Sequence, residues 1–225
     1  MSTQLSYTLA LPARFRSRDI LDFHRRDPNQ ASERVSGTML QKGLVWGELP
    51  ACLTIHFCDD SARAELAIDG AAPDASLPVF ESMVRRMLGL TQDIDAFEQR
   101  WREHSPLGEL IALQSGLRVP LAASPFEALT WAITGQQISL GAAISIRRRL
   151  IETAGIRHSD GLLCYPDANR ITRQTEPKLR SAGLSTAKAR TLLALSEKVS
   201  GGSVPLDEWL SDPPIDTIRA TLLAV

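Results

Sequence analysis

Between two apolar stretches the chain runs Gly135-Gln136-Gln137-Ile138-Ser139. A helix continuing through this point would use leucine and alanine. Two adjacent amides and a glycine break that economy, and such breaks tend to fall at functional positions. Amide side chains pair with the edges of nucleic-acid bases, and a side chain carried at a helix junction can fill a gap in a base stack. Residue types alone also allow a polar turn that caps the next helix, with Ser139 at the N-cap. Both readings stand at this point.

Other chemistry is sparse. The chain has no glycine-rich phosphate loop and no His-x-x-x-His or Cys-x-x-Cys pair. The histidines, His24, His56, His104 and His158, are isolated in sequence and read as surface or satisfied core. Cys52, Cys58 and Cys164 are scattered, with neither a disulfide framework nor a metal-ligand spacing. Neither a metal nor an organic cofactor is expected. Arg147-Arg148-Arg149 points three ways from a helix, so the run cannot meet one ligand, and it reads as a solvated face.

The elements that must position the Gly135–Ser139 junction come in two groups. Up to Gly70 the pattern is strand-rich. Tyr7–Leu11, Glu33–Met39, Val45–Trp46, Cys52–Phe57 and Arg63–Ile68 read as strands, with a break at Leu49-Pro50 and a short helix over Ser17–Arg26. This predicts a half-buried antiparallel sheet. Helical spacing follows at Leu77, Phe80, Met83, Val84 and Met87, stopped by Gly89, then at Ile94, Phe97 and Trp101, and at Leu107–Ile111. Ser124-Pro125-Phe126-Glu127 carries a serine N-cap, a first-turn proline and a glutamate that would complete a capping box. Further helices are predicted from Ser139 to Ala154, from Pro166, over Glu176–Ala182 and over Ser185–Val199. A last one follows Pro213-Pro214, with Ile215, Ile218, Leu222 and Val225 on one face. No strand is signalled beyond Gly70.

The formal net charge of −1 is uninformative. Its distribution says more: Leu117–Ser200 carries twelve Lys/Arg against six Asp/Glu, a local balance of +6. Either an anionic partner such as nucleic acid or an ordinary solvated helical surface accounts for that excess. No stretch of eighteen apolar residues offers a membrane span, and the N-terminus lacks a signal-peptide pattern. With three free thiols, a reducing cytoplasm is the expected location.

The segment Ser124-Pro-Phe-Glu-Ala-Leu-Thr-Trp-Ala-Ile-Thr-Gly-Gln-Gln-Ile-Ser139 resembles the start of the glycosylase domain of the DNA-3-methyladenine glycosylase II family, the alkylation-repair branch of the helix-hairpin-helix DNA glycosylases. Gly183-Leu-Ser-Thr-Ala-Lys-Ala-Arg190 is similar to that family's middle helices, and Gly116–Pro120 to the segment entering its helical core. The resemblance implies an α+β chain: residues 1–88 form a sheet-and-helix domain like half of TATA-binding protein, and residues 89–225 form an incomplete helical glycosylase domain. It implies that Gln137 matches the wedge that fills the space of a flipped nucleotide, where some members carry leucine. Gln136 falls beside the base pocket or the orphaned base, and Ser139 and Lys188 fall at DNA-binding positions. Lys188 also reads as an ordinary helix-solubilising lysine. The implied activity is hydrolysis of the N-glycosidic bond of 3-methyladenine and related alkylated purines in double-stranded DNA, by a monomer. The family's glycine-rich hairpin and catalytic aspartate are expected beyond Val225. Asp212 and Asp216 do not match that aspartate. The 225 residues alone are therefore expected to be inactive, and a non-catalytic DNA-binding remnant on the same scaffold is the alternative.

Overall fold

A computed structural model describes residues 2–211 and 215–224. Asp212, Pro213, Pro214 and Val225, which enter the reading of the last helix, lie outside the described residues.

The α+β architecture expected from the sequence is observed. Five strands, β1 (Thr3–Ala10), β2 (Glu33–Ser36), β3 (Met39–Trp46), β4 (Leu49–Phe57) and β5 (Ser61–Ile68), form one antiparallel sheet in the order β1-β5-β4-β3-β2. Two sequence readings are corrected here. Glu33–Met39 is not one strand: β2 ends at Ser36, the chain turns through Gly37-Thr38 with Gly37 at φ +56, and Met39 starts β3 paired with Ser36. Leu49-Pro50 is not a break but the start of β4. Gly47 and Glu48 both take positive φ, as a two-residue hairpin turn requires, and Trp46 pairs directly with Leu49.

Helices α1 (Ser17–His24) and α2 (Leu77–Met87) cover one sheet face. Ile20, Leu21, Phe80, Val84 and Met87 pack there on Leu40, Leu53, Ile55, Leu66 and Ile68. The alternation of the strands puts the other set of side chains, including Cys52, on the opposite face. Helices α3 (Ile94–Trp101) and α4 (Leu107–Leu113) bury no residue of their own. Polar contacts tie them back to the first segment: Arg14 reaches Glu98, Asp95 and Ser115.

A second apolar core gathers Phe126, Ile146, Leu150, Ile171, Leu179, Leu192 and Leu195. It is built by α5 (Pro125–Gly135), α6 (Leu140–Ala154), α7 (Ala168–Thr172), α8 (Glu176–Ser181) and α9 (Thr186–Ser200). Between α6 and α7 lies a hairpin that the sequence pattern did not signal, β6 (Ile156–Arg157) with β7 (Leu163–Cys164). It lies on the sheet face opposite α1 and α2. Leu163 and Tyr165 donate backbone hydrogen bonds to Ala31 and Gly43. A Cβ at Gly43 would run into the backbone of Leu163, so this approach needs glycine. Ile218 and Leu222 of helix α10 (Ile215–Leu223) line a pocket together with Leu206 and Trp209, and Leu222 packs on the second core. Ile215, expected on that apolar face, is 80% exposed.

Candidate nucleic-acid interface and the charge cluster behind it

Helix α5 starts as its sequence dictates. Ser124 accepts from the Glu127 amide at 3.1 Å, and Pro125 occupies the first turn. It ends at Gln136, whose φ of −59 and ψ of 130 leave the helix. Gln137 then takes φ +55, a left-handed conformation that a non-glycine residue adopts at a cost of about 1–2 kcal/mol. Ser139 restarts the chain as the N-cap of α6, accepting from the Ala142 amide at 3.3 Å. Both readings of the junction therefore meet in one geometry. It is a capped turn, and it also holds Gln137 at an exposed tip.

The tip is open. Gln136, Gln137 and Ser139 are exposed, and Ile138 and Leu140 flank them with apolar surface. A Cβ added at Gly135 or Gly141 would meet no atom within 4 Å. Underneath, Lys188 from the first turn of α9 donates to the carbonyls of Thr134 at 2.8 Å and Gln136 at 2.7 Å. A lysine at the end of a helix satisfies carbonyls that have no partner within the helix and complements the dipole. The Lys188 ammonium thus braces the residue that precedes Gln137.

On the inner side of α5 lies a buried group of charges that sequence reasoning missed. Glu33 and Lys42 are directly opposed on β2 and β3, and Glu127 and Arg147 come from α5 and α6. Lys42 Nζ donates to Glu33 Oε1 at 2.6 Å and to Glu127 Oε1 at 2.7 Å. Arg147 donates to the same two oxygens at 3.2 and 2.7 Å. Glu127 Oε2 accepts from the Ala123 amide. Hence the capping box is only half formed: the serine caps, while the glutamate is taken up by buried cations. Burial opposes ionisation of both carboxylates, yet Lys42 and Arg147 hold Glu33 well below, and Glu127 below, the usual carboxylate range. The Tyr165 hydroxyl, 2.5 Å from the Thr130 hydroxyl, is pushed up to about 12 by burial.

The arginine run is corrected as well. Arg147 is buried, Arg148 pairs with Asp27 at 3.2 Å, and Arg149 donates to the Ala182 carbonyl at 2.7 Å. Each points a different way, as expected of consecutive helical residues, but each is engaged rather than solvated. Arg118 and Arg170 likewise donate to backbone carbonyls. Much of the local positive balance is therefore structural. His24, read as satisfied core, is buried with neither ring nitrogen hydrogen-bonded, although Nδ1 lies 3.2 Å from Glu33 Oε1.

A cavity of about 210 Å³ opens on this cluster, lined by Phe23, His24, Arg26, Glu33, Lys42 and Trp131. Arg26 stacks there between two rings, its Cζ 3.8 Å from the Phe23 centroid and 4.7 Å from that of Trp131. These faces already hold one planar cation. Trp131 and the Gly135 turn lie one helical turn apart on α5.

Known proteins with similar sequences or structures include both 3-methyladenine and 8-oxoguanine glycosylases; the 8-oxoguanine glycosylase/lyase of Clostridium acetobutylicum shares the fold with a TM-score of 0.66 at 13% identity, over 100% of this chain and 73% of its own. Residues 130–219 match the family described as "HhH-GPD superfamily base excision DNA repair protein". A DNA-3-methyladenine glycosylase of Bacillus subtilis (strain 168) is 21% identical over 208 residues, which cover 90% of this chain and 68% of that protein. DNA-3-methyladenine glycosylase 2 of Escherichia coli (strain K12) is 29% identical over 102 residues, 44% of this chain and 36% of that one. The solved 3-methyladenine DNA-glycosylase from Archaeoglobus fulgidus shares the fold with a TM-score of 0.72 at 17% identity, over 85% of this chain and 66% of its own.

Proposed function

We propose, from the match of residues 130–219 to the HhH-GPD superfamily of base excision DNA repair proteins and from the similarity to DNA-3-methyladenine glycosylases, that the chain serves the removal of alkylated purines such as 3-methyladenine from duplex DNA. The observation that carries this reading is Gln137, exposed at φ +55 on a turn braced by Lys188. A strained residue at an open tip points to a function. Here the function is to enter the base stack and occupy the space of an extruded nucleotide, because a glycosidic bond inside the duplex is otherwise shielded. Gln136 and Ser139 flank the wedge on the DNA side, and Lys188 positions it from behind.

The extruded base would enter the cavity beside Trp131 and Phe23. Alkylated purines carry positive charge, and these two ring faces attract a planar cation. Arg26 holds that place until it swings aside. Glu33 and Glu127 are excluded as the hydrolytic carboxylate, since each is already neutralised by two buried cations. No catalytic residue is assigned among residues 1–225. A monomer acting on the nucleoid in the cytoplasm completes the proposal.

The test is a duplex carrying 2-aminopurine beside a damaged-base analogue, titrated with wild type and with Gln137→Ala. The variant should lose on the order of tenfold in flipped fraction, worth about 1.4 kcal/mol. Its salt-dependent binding to undamaged DNA should stay near wild type. Equal loss of both, or loss of neither, removes Gln137 from the wedge role.

A further inference from the structure

On the sheet face away from the charge cluster, the β6–β7 hairpin brings together residues far apart in sequence. Cys52 of β4, His158 and Asp160 place a sulfur, an imidazole nitrogen and a carboxylate oxygen within 4.8 Å of one another. Cys52 and His158 are buried, while Asp160 opens to solvent. The imidazole sits between two carboxylates. Its Nδ1 is 3.6 Å from Asp160 Oδ2, and its Nε2 is 3.4 Å from Asp69 Oδ1. The residue is 3% exposed, and Nε2 is buried with no hydrogen-bond partner among the described residues. Asp69 is fixed by the Ser159 hydroxyl at 2.7 Å and the Ser159 amide at 2.8 Å.

We propose that Cys52, His158 and Asp160 bind a divalent transition-metal cation of the zinc class, with Asp69 orienting the histidine from behind. A thiolate, an imidazole and a carboxylate form a borderline-soft donor set that suits tetrahedral zinc, and water from the Asp160 side completes the fourth position. The donors must close in by about 1 Å to reach ordinary ligand spacing, which the exposed Asp160 turn permits. Nδ1 already presents a lone pair, since it accepts from the Asp160 amide at 3.1 Å. Ligation replaces that bond and turns the Nε2–H onto Asp69, the carboxylate–histidine–metal arrangement that gives the orphaned nitrogen its partner. Cys52 ligates as the thiolate, so binding releases the thiol proton to solvent. Because Cys52 belongs to the sheet and His158 and Asp160 to the hairpin, the cation would pin one onto the other. The site is independent of the DNA-repair reading.

The probe is Co2+ titrated into tag-free, EDTA-treated, reduced protein. One equivalent should bind and give the near-ultraviolet charge-transfer band of a thiolate–cobalt bond. Cys58→Ser, which alters the exposed cysteine, should keep that band, and Cys52→Ser should lose it. Asp160→Asn, at an exposed position that leaves the fold intact, should bind more than tenfold more weakly. Asp69→Asn should weaken binding by about 10–100-fold. Absence of the band in wild type, its survival in Cys52→Ser, or an Asp160→Asn titration matching wild type would overturn the proposal.

Discussion

Replacing Lys42 with methionine tests the charge cluster most directly. The side chain is 1% exposed and touches two carboxylates that share a second cation, Arg147. Among the direct ion pairs two negative and two positive charges balance, with Arg26 lining the adjoining cavity. Lys42→Met fills much of the same volume but leaves Glu33 and Glu127 with a single cation. Removing one partner of a buried ionic group costs about 3–5 kcal/mol, because the remaining charge has been taken out of water without compensation. For a chain of this size each kcal/mol shifts Tm by about 2–4 °C, so a drop of about 6–20 °C is expected by circular dichroism. The double variant Lys42→Met/Glu33→Gln restores neutrality, with Glu127 still paired to Arg147. It should therefore be more stable than the sum of the single losses by at least about 1 kcal/mol. A control, Arg18→Met, breaks a pair at 3.6 Å whose arginine is 90% exposed, and should change stability by less than about 0.5 kcal/mol. If Lys42→Met behaves like Arg18→Met, or if the double variant is additive, the cluster does not balance as described.

Two further outcomes follow from the same contacts. Burial first, only partly offset by Glu33, lowers the pKa of His24 below its ordinary 6.5. The unfolded chain therefore takes up a proton as pH falls through 6.5 while the folded chain does not, so stability is full above that pH and declines below it. Glu33 and Glu127, also depressed, add a second loss of the same sign below their ordinary 4.5. His24→Gln should flatten the decline in urea midpoint between about pH 6.5 and 5; an unchanged slope would remove His24 as its source. Lys188→Met separates bracing from phosphate contact. Loss of its two carbonyl partners should cost about 1 kcal/mol, discounted for partial exposure, and should reduce base flipping. The slope of log K against log salt should not change; a decrease of about 0.9 would mean that Lys188 neutralises a phosphate instead.

The sequence was legible where a local rule dominated. Ser124-Pro125 announced a helix start, and the glycine and amides at 135–137 announced its end, because each is a choice about the backbone at that place. Glu127 was misassigned for the same reason. Its spacing from Ser124 fits a capping box, and only the tertiary fold brings Lys42 and Arg147 to it. Pro50 suggested a break, whereas positive φ at Gly47 and Glu48 lets the strand begin one residue earlier. Strands β6 and β7 have two residues each, too short for any alternation to show. Arg147, Arg148 and Arg149 have the composition of a solvated face, and their partners Glu127, Asp27 and Ala182 are distant in sequence.

The origin of the four clustered charges bears on how the chain assembles. The sheet contributes one acid and one base, Glu33 and Lys42, as a cross-strand pair. The helices contribute the other acid and base, Glu127 and Arg147. Each half is thus neutral before it meets its counterpart. The sheet and α1 precede α5 and α6 in the chain, so Glu33 and Lys42 have each other as partners before Glu127 and Arg147 are added. Neither half has to bury an unbalanced ion while waiting for the other.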